Sequence, residues 1–423
     1  MSKVVLIDGC RTPFLKSGTN YQDLMSYQLG AFAIAGVLKR TGIDANQLDR
    51  VIMGCVIHNV KTPNVAREAA LTAGVPYTVP CQTVSQACIS ANLAIATAFD
   101  LISAGRAEAI IAGGTDSASD TPIGFKKSMR KKLFNAQKLK GFMDNLRFVF
   151  SLRPSDFAPE KPAIAEFMTG KTMGQDCEIL AARFGATREE QDAIASRSHA
   201  LAEEAWKAGH LAKEVCAVEL APKFARIERD NGIRPASVEV LAKLRPAFDK
   251  AHGTITAANA SFLTDGAAAT LIMSAEKAKS LGLTPKAEIV DYIITGSDLN
   301  GELLLGPAYA IAKLLKKNNL TLADIDVVEL HEAFAGQVQA NINALASDDF
   351  AKNVGYDKAV GRIEQQKMNA WGGSLSIGHP FGATGARLVT TAANRLHVEG
   401  GTYALIAACA AGAHGHAMLI KKC

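Results

Sequence analysis

The residues of this chain best suited to chemistry are cysteines and histidines that stand at strand–helix junctions or beside glycines. In "VSQACISANLAIATAFDLISAG", Cys88 lies where an extended segment gives way to a helix. The positive end of a helix lowers the pKa of a thiol, and its free N–H groups can hold an oxyanion. In "CAAGAHGHAM", Cys409 is followed by two histidines, which raises the question of a metal site. Most cysteines are small core residues, so neither motif alone defines a site.

Two histidines occupy similar junctions. "VVELHEAFAGQ" puts His331 just past an apolar strand, at the end where α/β proteins build their sites. The second histidine of HExxH is missing, which argues against a zinc protease. "LSIGHPFGATGAR" places His379 between glycines without a phosphate-binding motif, so we interpret these glycines as letting the backbone approach a ligand. Two cysteines and two histidines from four separate loops make a specific constellation, although each motif in isolation has an ordinary structural explanation.

The bulk composition excludes some classes of protein. The chain has 423 residues, enough for two domains or a duplicated core. Its 46 basic and 41 acidic residues argue against nucleic-acid binding and suit a small polyanionic substrate, although ordinary surface chemistry explains them equally well. The eight cysteines form no CxxC pair, which favours free thiols in a reducing compartment. "MSKVVLIDGCRTPF" lacks signal-peptide features, so we expect a cytoplasmic protein.

The chain also repeats itself. Residues 33–54 ("AIAGVLKRTGIDANQLDRVIMG") align without gaps with residues 310–331 ("AIAKLLKKNNLTLADIDVVELH"), so that Asp49 pairs with Asp326. Farther along each half, "AEAIIAGG" matches "TYALIAAC". Alternating helices and apolar strands predict α/β layers around a largely parallel sheet. The repeat predicts two similar halves whose loops meet at a pseudo-twofold seam.

Residues 121–249 have no counterpart in the second half and are predicted to form a helical insertion. Within it, 126–150 ("KKSMRKKLFNAQKLKGFMDNLRFVF") combines many lysines and arginines with apolar residues at helical spacing. The apolar residues are Met129, Leu133, Leu139, Phe142, Met143, Leu146, Phe148 and Phe150. This pattern fits a helix pair that contacts a membrane surface or a partner, and it fits equally a solvated lid packed on its own core.

These stretches together resemble the thiolase superfamily from one end of the chain to the other. "QACISAN" resembles its nucleophile box, "TAANASFLTDGAAA" (256–269) its Asn-Ala-Ser…Asp-Gly-Ala-Ala segment, and "TMGQDCEILAARFGATREEQDAIASRSHALA" (172–202) its insertion helices. "HEAF", "GHPFGATGAR" and the terminal cysteine–glycine run resemble its last three boxes. The histidine of "HEAF", where other members have asparagine, and the basic insertion most resemble the β subunits of fatty-acid β-oxidation trifunctional complexes.

The resemblance implies a fold and an organisation. The fold would be α/β, with a duplicated βαβαβαββ core in five layers (α-β-α-β-α) and a helical loop-domain insertion. The N-terminal half would comprise 1–120 and 250–285, the loop domain 121–249, and the C-terminal half 286–423. A homodimer is implied, as is an α subunit with enoyl-CoA hydratase and 3-hydroxyacyl-CoA dehydrogenase activities. A mature eukaryotic chain of this kind would lie in the mitochondrial matrix or at the inner-membrane surface, and a bacterial one in the cytoplasm.

The resemblance also implies a reaction. A 3-ketoacyl-CoA thiolase cleaves 3-ketoacyl-CoA with CoA, giving acetyl-CoA and a shortened acyl-CoA in fatty-acid β-oxidation. CoA is a substrate, and no bound cofactor or metal is implied. His379 would take the proton of Cys88, and the thiolate would attack the C3 ketone and become acylated. Cys409 would protonate the departing enolate and then deprotonate the incoming CoA.

Two oxyanions form in such a reaction, and family positions imply a hole for each. The backbone N–H groups of Cys88 and Ala411 would form one hole. His379 would form the other hole, together with either His331 itself or a water that His331 holds. Ser261 lies where the family contacts the pantetheine arm of CoA.

Other functions remain open at this point. An acetoacetyl-CoA thiolase working in the biosynthetic direction would use the same residues. A β-ketoacyl synthase-like condensing enzyme shares a duplicated fold and a Cys/His/His set, but would not need Cys409 as an acid. A lipid carrier or scaffold subunit with a degenerate site is disfavoured because all four catalytic positions are filled.

The last motif departs from the pattern of the subfamily, which resembles Cys-Ala-Ala-Gly-Gly-Gln-Gly-His-Ala. Ala413 replaces a glycine, and this matters if the residue needs a positive φ. His414 replaces a glutamine. We expect it to sit behind Cys409 rather than to alter its proton transfer.

Overall fold

Strands and helices alternate along the chain, as the sequence predicts. The computed structural model describes residues 2–160, 165–222 and 225–423. The strands are β1 (Val4–Arg11), β2 (Leu15–Lys16), β3 (Arg50–Gly54), β4 (Cys81–Val84), β5 (Ala109–Asp116), β6 (Gly124–Phe125), β7 (Pro159–Glu160), β8 (Val218–Leu220), β9 (Ala225–Ile227), β10 (Thr264–Ser274), β11 (Ala287–Gly296), β12 (Val327–Leu330), β13 (Tyr403–Ala410) and β14 (His414–Lys422). The helices are α1 (Ser26–Thr41), α2 (Val65–Thr72), α3 (Ser90–Ser103), α4 (Lys127–Ala136), α5 (Phe142–Ser151), α6 (Met173–Arg183), α7 (Arg188–Lys207), α8 (Val238–Leu241), α9 (Ala275–Ser280), α10 (Gly306–Lys317), α11 (Ala335–Leu345), α12 (Asp348–Asn353), α13 (Ser374–Ile377) and α14 (Thr384–Val398).

The main sheet has a symmetric strand order. In the described residues it runs β4-β3-β5-β10-β1-β11-β14-β13-β12, with β2 attached to β10. The two halves meet where β1 pairs with β11 over only two residue pairs. On either side of this junction, β1, β10, β5 and β3 match β11, β14, β13 and β12. The strand order confirms the duplication predicted from the sequence.

The expectation of a largely parallel sheet is wrong. β3 runs parallel to β4 and β5, and β12 runs parallel to β13. The last strand of each half, however, inserts between two earlier strands and runs antiparallel to both of them: β10 between β1 and β5, and β14 between β11 and β13. Apolar runs report the burial of a strand but not its direction, so the sequence pattern did not reveal this.

The aligned aspartates perform the same local task in the two halves. Asp49 Oδ2 accepts the N–H of Ala109 at 2.9 Å, and Asp326 Oδ2 accepts the N–H of Tyr403 at 3.1 Å. In each half the preceding amide donates to the same oxygen. Each carboxylate therefore holds the start of the strand that leads to the site.

Helices α3 and α14 form a buried layer between the two halves of the sheet. α14 contacts β1, β5 and β10 on one side and β12, β13 and β14 on the other. One apolar cluster joins Ile52 and Ile110 of the first half, Ile95 and Leu388 of the central helices, and Ile406 of the second half. Separate clusters pack α1 and α2, and α10 and α11, on the outer faces. The five layers α-β-α-β-α are thus confirmed.

The chain between β5 and β10 contains the predicted insertion. Thr172 and Thr187 begin α6 and α7, and each hydroxyl accepts the backbone N–H three residues later in a capping box. α6 and α7 then pack on α11, so this part of the insertion is fixed to the second half. No helix in the described ranges is long and apolar enough to cross a membrane.

Candidate active site

Cys88 lies in a strained turn between β4 and α3. Ala87 has φ of 45°, a left-handed conformation that costs a residue with a Cβ about 1–2 kcal/mol. Ser90 holds this turn, because its hydroxyl accepts the N–H of Gln86 at 2.8 Å and donates to the carbonyl of Ala87 at 2.7 Å. The strain is thus balanced by local bonds, and it presents the half-buried Cys88 to a cavity.

The cavity next to Cys88 has a volume of about 620 Å³ and a mostly apolar lining. Such a volume is typical of small-molecule sites. Both halves and the insertion contribute residues. The lining residues are Val56, Ile57, His58, Ala87, Cys88, Ala118, Thr121, Pro122, Ile123, Ala165, Met173, Leu263, Phe381 and Ala411. A thiol at the wall of an apolar cavity can form a thioester with a ligand that carries an aliphatic chain.

The expectation of a lowered Cys88 pKa is wrong. Burial raises the pKa of the Cys88 thiol to about 12, and the charge of Asp116 contributes in the same direction. The N–H groups of Ala411 and of Cys88 itself point at the sulfur and lower the pKa, but burial outweighs them. The resting nucleophile is therefore a neutral thiol that needs a base. The same N–H pair can hold an oxyanion on a carbon bound to the sulfur.

Cys409 is a second buried thiol in this region. It lies near the end of β13, where burial, followed by the charge of Cys88, raises its pKa. The structure thus brings Cys409 close enough for the two sulfurs to influence each other. A thiol held in its protonated form can donate a proton to a developing carbanion.

The turn after Cys409 needs two left-handed residues. Gly412 has φ of 79° and Ala413 has φ of 57°. The carbonyl of Ala413 accepts the N–H of Ser297 at 2.8 Å, and the Glu166 carboxylate of the insertion accepts the N–H of Gly412 at 2.8 Å. Ala413 therefore occupies the conformation that favours glycine, while contacts from both sides hold the turn that carries Ala411.

His331 and His379 are buried against each other, with ring centroids 4.1 Å apart. Burial lowers the pKa of His379 to about 3, and burial, the neighbouring His379 and Arg387 hold that of His331 well below its usual range. Both rings are thus neutral. Among the described residues neither Nε2 atom has a hydrogen-bond partner, which leaves both nitrogens available to a reacting molecule.

Each histidine is held through its Nδ1 atom. His379 Nδ1 lies 2.6 Å from the hydroxyl of Thr384, and His331 Nδ1 lies 3.0 Å from the hydroxyl of Ser374. The His379 ring also packs edge-on against Phe381, which lines the cavity beside Cys88. Sequence reasoning did not single out Thr384, although it lies within the "GHPFGATGAR" motif.

Asp116, which sequence reasoning also missed, joins two walls of the site. Its carboxylate accepts the N–H groups of Ile57 at 2.7 Å, Val56 at 3.1 Å and Gly382 at 2.5 Å. Burial raises its pKa to about 6, and the three amides lower it. An aspartate that ends an apolar strand was the available signal, because sites of α/β proteins gather at strand ends.

Glu332, beside His331, supports the loop that carries His379. Its carboxylate accepts the Ser198 hydroxyl at 2.7 Å, the Asn369 amide at 2.7 Å and the Leu375 N–H at 3.3 Å. A Cβ on Gly373 would come within 2.2 Å of this carboxyl group, so the glycine is needed for close approach. Glu332 is thus a structural anchor.

Ser261 lies outside the cavity lining. Its backbone N–H donates to the carbonyl of Ala333 at 2.9 Å, which places it beside the "HEAF" segment, whereas Leu263 reaches the cavity.

In the described part of the chain, no group of three or more His, Cys, Asp or Glu side chains is arranged to hold a metal ion. The chemistry open to the described side chains is covalent attachment to one thiol and proton transfer by the other.

Family models cover both halves of the chain. The model described as "Thiolase, N-terminal domain" matches residues 4–276, and "Thiolase, C-terminal domain" matches residues 283–422. Together they include Cys88, His331, His379 and Cys409.

Relatives that match along nearly the whole of this chain have consistent names. The chain is 50% identical over 422 residues to a protein from Mus musculus named "Trifunctional enzyme subunit beta, mitochondrial", covering 100% of this chain and 88% of the relative. It is 50% identical over 422 residues to a "Probable 3-ketoacyl-CoA thiolase" from Caenorhabditis elegans (100% and 94%), and 42% identical over 421 residues to a "3-ketoacyl-CoA thiolase" from Pectobacterium atrosepticum (99% and 96%). The crystal structure of the Bacillus anthracis acetyl-CoA acetyltransferase matches with a TM-score of 0.85 and 32% identity, covering 100% of this chain and 99% of that one.

Proposed function

The chain belongs to the thiolase family, and from this premise we propose that it is a 3-ketoacyl-CoA thiolase of fatty-acid β-oxidation. It is an acyltransferase that transfers the shortened acyl group to CoA and releases acetyl-CoA. The observation that carries the proposal is the pair of thiols: Cys88 lines the apolar cavity, and Cys409 lies close enough for the charge of Cys88 to raise its pKa. The paired histidines lie beside Phe381 of the cavity wall, and their Nε2 atoms have no hydrogen-bond partner among the described residues.

The first step is acylation of Cys88. Both Cys88 and His379 are neutral at rest, so the proton moves to His379 Nε2 as the sulfur attacks the C3 ketone. The oxyanion on the attacked carbon lies beside the sulfur, where the N–H groups of Cys88 and Ala411 stabilise it. Removing one such donor typically costs about 10²–10³-fold in rate.

The second step is release of acetyl-CoA. Cleavage of the C2–C3 bond leaves the acyl group on Cys88 and an enolate of acetyl-CoA, whose C2 takes the proton of Cys409. His331 and His379 stabilise the enolate oxygen through their Nε2 side. CoA then enters, Cys409 removes its thiol proton, and the CoA sulfur displaces the acyl chain from Cys88. His379 returns its proton to the departing Cys88 sulfur, which restores the neutral resting pair.

Cys409 favours thiolysis over a β-ketoacyl synthase-like condensation, because a second buried thiol supplies the acid that cleavage needs. An acetoacetyl-CoA thiolase in the biosynthetic direction would use the same residues. The cavity of about 620 Å³ has room for more than a two-carbon acyl group, which favours the degradative substrate class.

Acyl-enzyme formation tests this function. Protein mixed with a 3-ketoacyl-CoA in the absence of CoA should gain the mass of the shortened acyl group on Cys88. Cys88→Ala should abolish the adduct, and the matched control Cys423→Ala, which removes an exposed thiol, should keep it. No adduct on the wild-type protein would contradict the assignment. Turnover of short, medium and long 3-ketoacyl-CoAs would then define chain-length preference.

Several organisational features belong to the same proposal. We place the N-terminal half at 1–120 and 250–285, the loop domain at 121–249 and the C-terminal half at 286–423.

We propose a homodimer that associates with an α subunit carrying enoyl-CoA hydratase and 3-hydroxyacyl-CoA dehydrogenase activities, since "subunit beta" in a relative's name denotes one part of an assembly. One relative above has "mitochondrial" in its name and another comes from a bacterium. Both facts are consistent with the proposed location in the mitochondrial matrix or in the bacterial cytoplasm. Ser261 is proposed to contact the pantetheine arm of CoA.

The helix pair α4–α5 is proposed to contact an anionic membrane surface. Of its predicted apolar residues Met129 is buried, but Phe142 and Phe150 are 78% and 81% exposed beside several lysines and arginines. This exposure argues against a lid packed on its own core, and basic helices with exposed aromatic residues suit a lipid interface.

Vesicle sedimentation tests this contact. Phe142→Ser with Phe150→Ser should reduce binding to phosphatidylserine vesicles. Tyr77→Ser, which changes a residue 79% exposed elsewhere, should leave binding unchanged. Equal binding by both variants would contradict membrane contact. Loss of complex assembly instead of vesicle binding would indicate a protein partner.

A further inference from the structure

His331 shares one face of its strand with a buried carboxylate. The backbone N–H of His331 donates to the carbonyl of Ala407 at 2.8 Å, which extends the β12–β13 pairing by one residue. Side chains two residues apart on a strand point to the same face, so Glu329 lies on the side of His331. Both are fully buried.

The hydrogen bonds around Ser374 fix the position of the ring proton of His331. Arg387 Nη2 lies 3.0 Å from the Ser374 hydroxyl, which lies 3.0 Å from His331 Nδ1. A guanidinium can only donate, so the hydroxyl oxygen accepts from Arg387. His331 Nδ1 is the one other hydrogen-bond contact of this hydroxyl in the described part of the chain, so we assign the hydroxyl proton to that contact. Nδ1 is then an acceptor without a proton. The single proton of the neutral ring is on Nε2.

The guanidinium of Arg387 is itself held in place. Its Nη1 lies 3.3 Å from Glu329 Oε2, and Arg395 Nη1 lies 2.8 Å from Glu329 Oε1. All three side chains are fully buried. Two cations thus share this carboxylate, and the positive charge of Arg387 opposes protonation of His331.

We propose that Ser374 and Arg387 are positioning residues that hold His331 as its Nε2–H tautomer, so that its only proton faces the enolate oxygen of departing acetyl-CoA. This inference rests on the proposed thiolase function. His331 acts as a neutral hydrogen-bond donor and takes no part in proton transfer. The relay runs from Glu329 through Arg387 and Ser374 to the ring.

The relay serves only one of the two oxyanions. The acyl oxygen on Cys88 is bound by the N–H groups of Cys88 and Ala411, both of which point at the sulfur. The enolate oxygen has the histidine pair. Damage to the relay should therefore slow proton exchange at C2 of acetyl-CoA, which passes through the enolate. Acyl exchange between acyl-CoA and free CoA on Cys88, which needs no enolate, should be preserved.

Ser374→Ala tests this separation. The rate of C2 exchange in D₂O, followed by NMR, should fall about 10- to 100-fold, the usual effect of removing an orienting partner. Acyl exchange should change by less than about twofold. Ser376→Ala is the matched control, because Ser376 is buried on the same short helix α13 and bonds to Ser198 and Gly373 instead of a histidine. It should leave both rates within about twofold.

A double-variant cycle separates a tautomer effect from a structural one. His331→Asn keeps an N–H donor but has no tautomers, so Ser374→Ala should add no further loss of C2 exchange in that background. The proposal would be overturned if Ser374→Ala lowered C2 exchange equally in the wild-type and His331→Asn proteins. It would also be overturned if Ser374→Ala alone lowered C2 exchange and acyl exchange equally.

¹⁵N NMR of the histidines in the wild-type protein measures the tautomer directly and does not depend on whether Ser374→Ala folds. Comparison with His331→Asn assigns the signals of His331. The Nδ1 signal of His331 should have the shift of an unprotonated nitrogen and Nε2 that of a protonated one. The reverse would overturn the proposal. Failure of the proposed function is distinguishable, because the wild-type protein would then form no acyl adduct on Cys88.

Discussion

Ala413 has a left-handed backbone conformation near Cys409, at a position where the subfamily pattern has glycine. Replacing it with glycine tests how much this alanine costs in the free energy of unfolding. Ala413→Gly relieves a conformational cost of about 1–2 kcal/mol. Glycine also gives the unfolded chain more freedom, which costs about 0.4–1 kcal/mol. Ala413 is 1% exposed, and loss of its methyl group removes about 0.8 kcal/mol of apolar burial. The sum lies within about 0.8 kcal/mol of zero.

We therefore expect Ala413→Gly to leave the free energy of unfolding almost unchanged. The contacts of Ser297 and Glu166 hold the turn, so the rate of Cys88 acylation should also be preserved. Ala413→Val is the contrasting variant. A β-branched side chain is poorly tolerated at positive φ, and extra methyl groups in a filled core cost about 1–3 kcal/mol.

Urea denaturation followed by circular dichroism measures the stability of both variants, and the mass-spectrometric rate of adduct formation on Cys88 measures the site. A stabilisation above about 2 kcal/mol in Ala413→Gly, together with a tenfold faster acylation, would refute the reasoning. Such a result would mean that the alanine distorts the turn and impairs the oxyanion hole at Ala411.

Three further predictions concern the site. Cys409→Ala should lower C2 proton exchange of acetyl-CoA by about 10²–10⁴-fold, because it removes the acid; full retention, measured by NMR in D₂O, would contradict thiolysis. Asp116→Asn should destabilise the protein by about 1–3 kcal/mol in urea, since an amide places a donor against backbone N–H groups. Glu332→Ala should destabilise by about 2–5 kcal/mol, because it leaves buried donors unpaired; an unchanged urea midpoint would refute this anchoring role.

The sign of the Asp116 effect on stability is fixed by its raised pKa. The folded protein binds this proton more tightly than the unfolded chain, since burial raises the pKa from 3.8 to about 6. The contribution of Asp116 to stability therefore falls as the pH rises from about 4 to about 6 and is constant above that range. Asp116→Asn should remove this dependence. A stability difference between pH 4 and pH 6 that is the same in the wild-type protein and in Asp116→Asn, measured by urea denaturation, would contradict this assignment.

The sequence by itself predicted the candidate catalytic residues and the duplication, and the strand order confirms the duplication. Cys88, His331, His379 and Cys409 could be singled out because each stands at a strand–helix junction or beside glycines, which are local features. The pairing of Asp49 with Asp326 was likewise visible, since a repeated unit repeats its local hydrogen bonds. The sequence also showed that Ala413 replaces a glycine, but only the structure showed that the backbone there has a positive φ.

Tertiary structure decided what depends on surroundings. The antiparallel course of β10 and β14 is set by long-range pairing, which apolar periodicity does not encode. The raised pKa of Cys88 follows from desolvation by distant segments, which outweighs the nearby N–H groups. The proposed donor role of His331 depends on Ser374 and Arg387, which lie 43 and 56 residues away along the chain. A proton's position is a property of the whole hydrogen-bond network, and only the fold assembles that network.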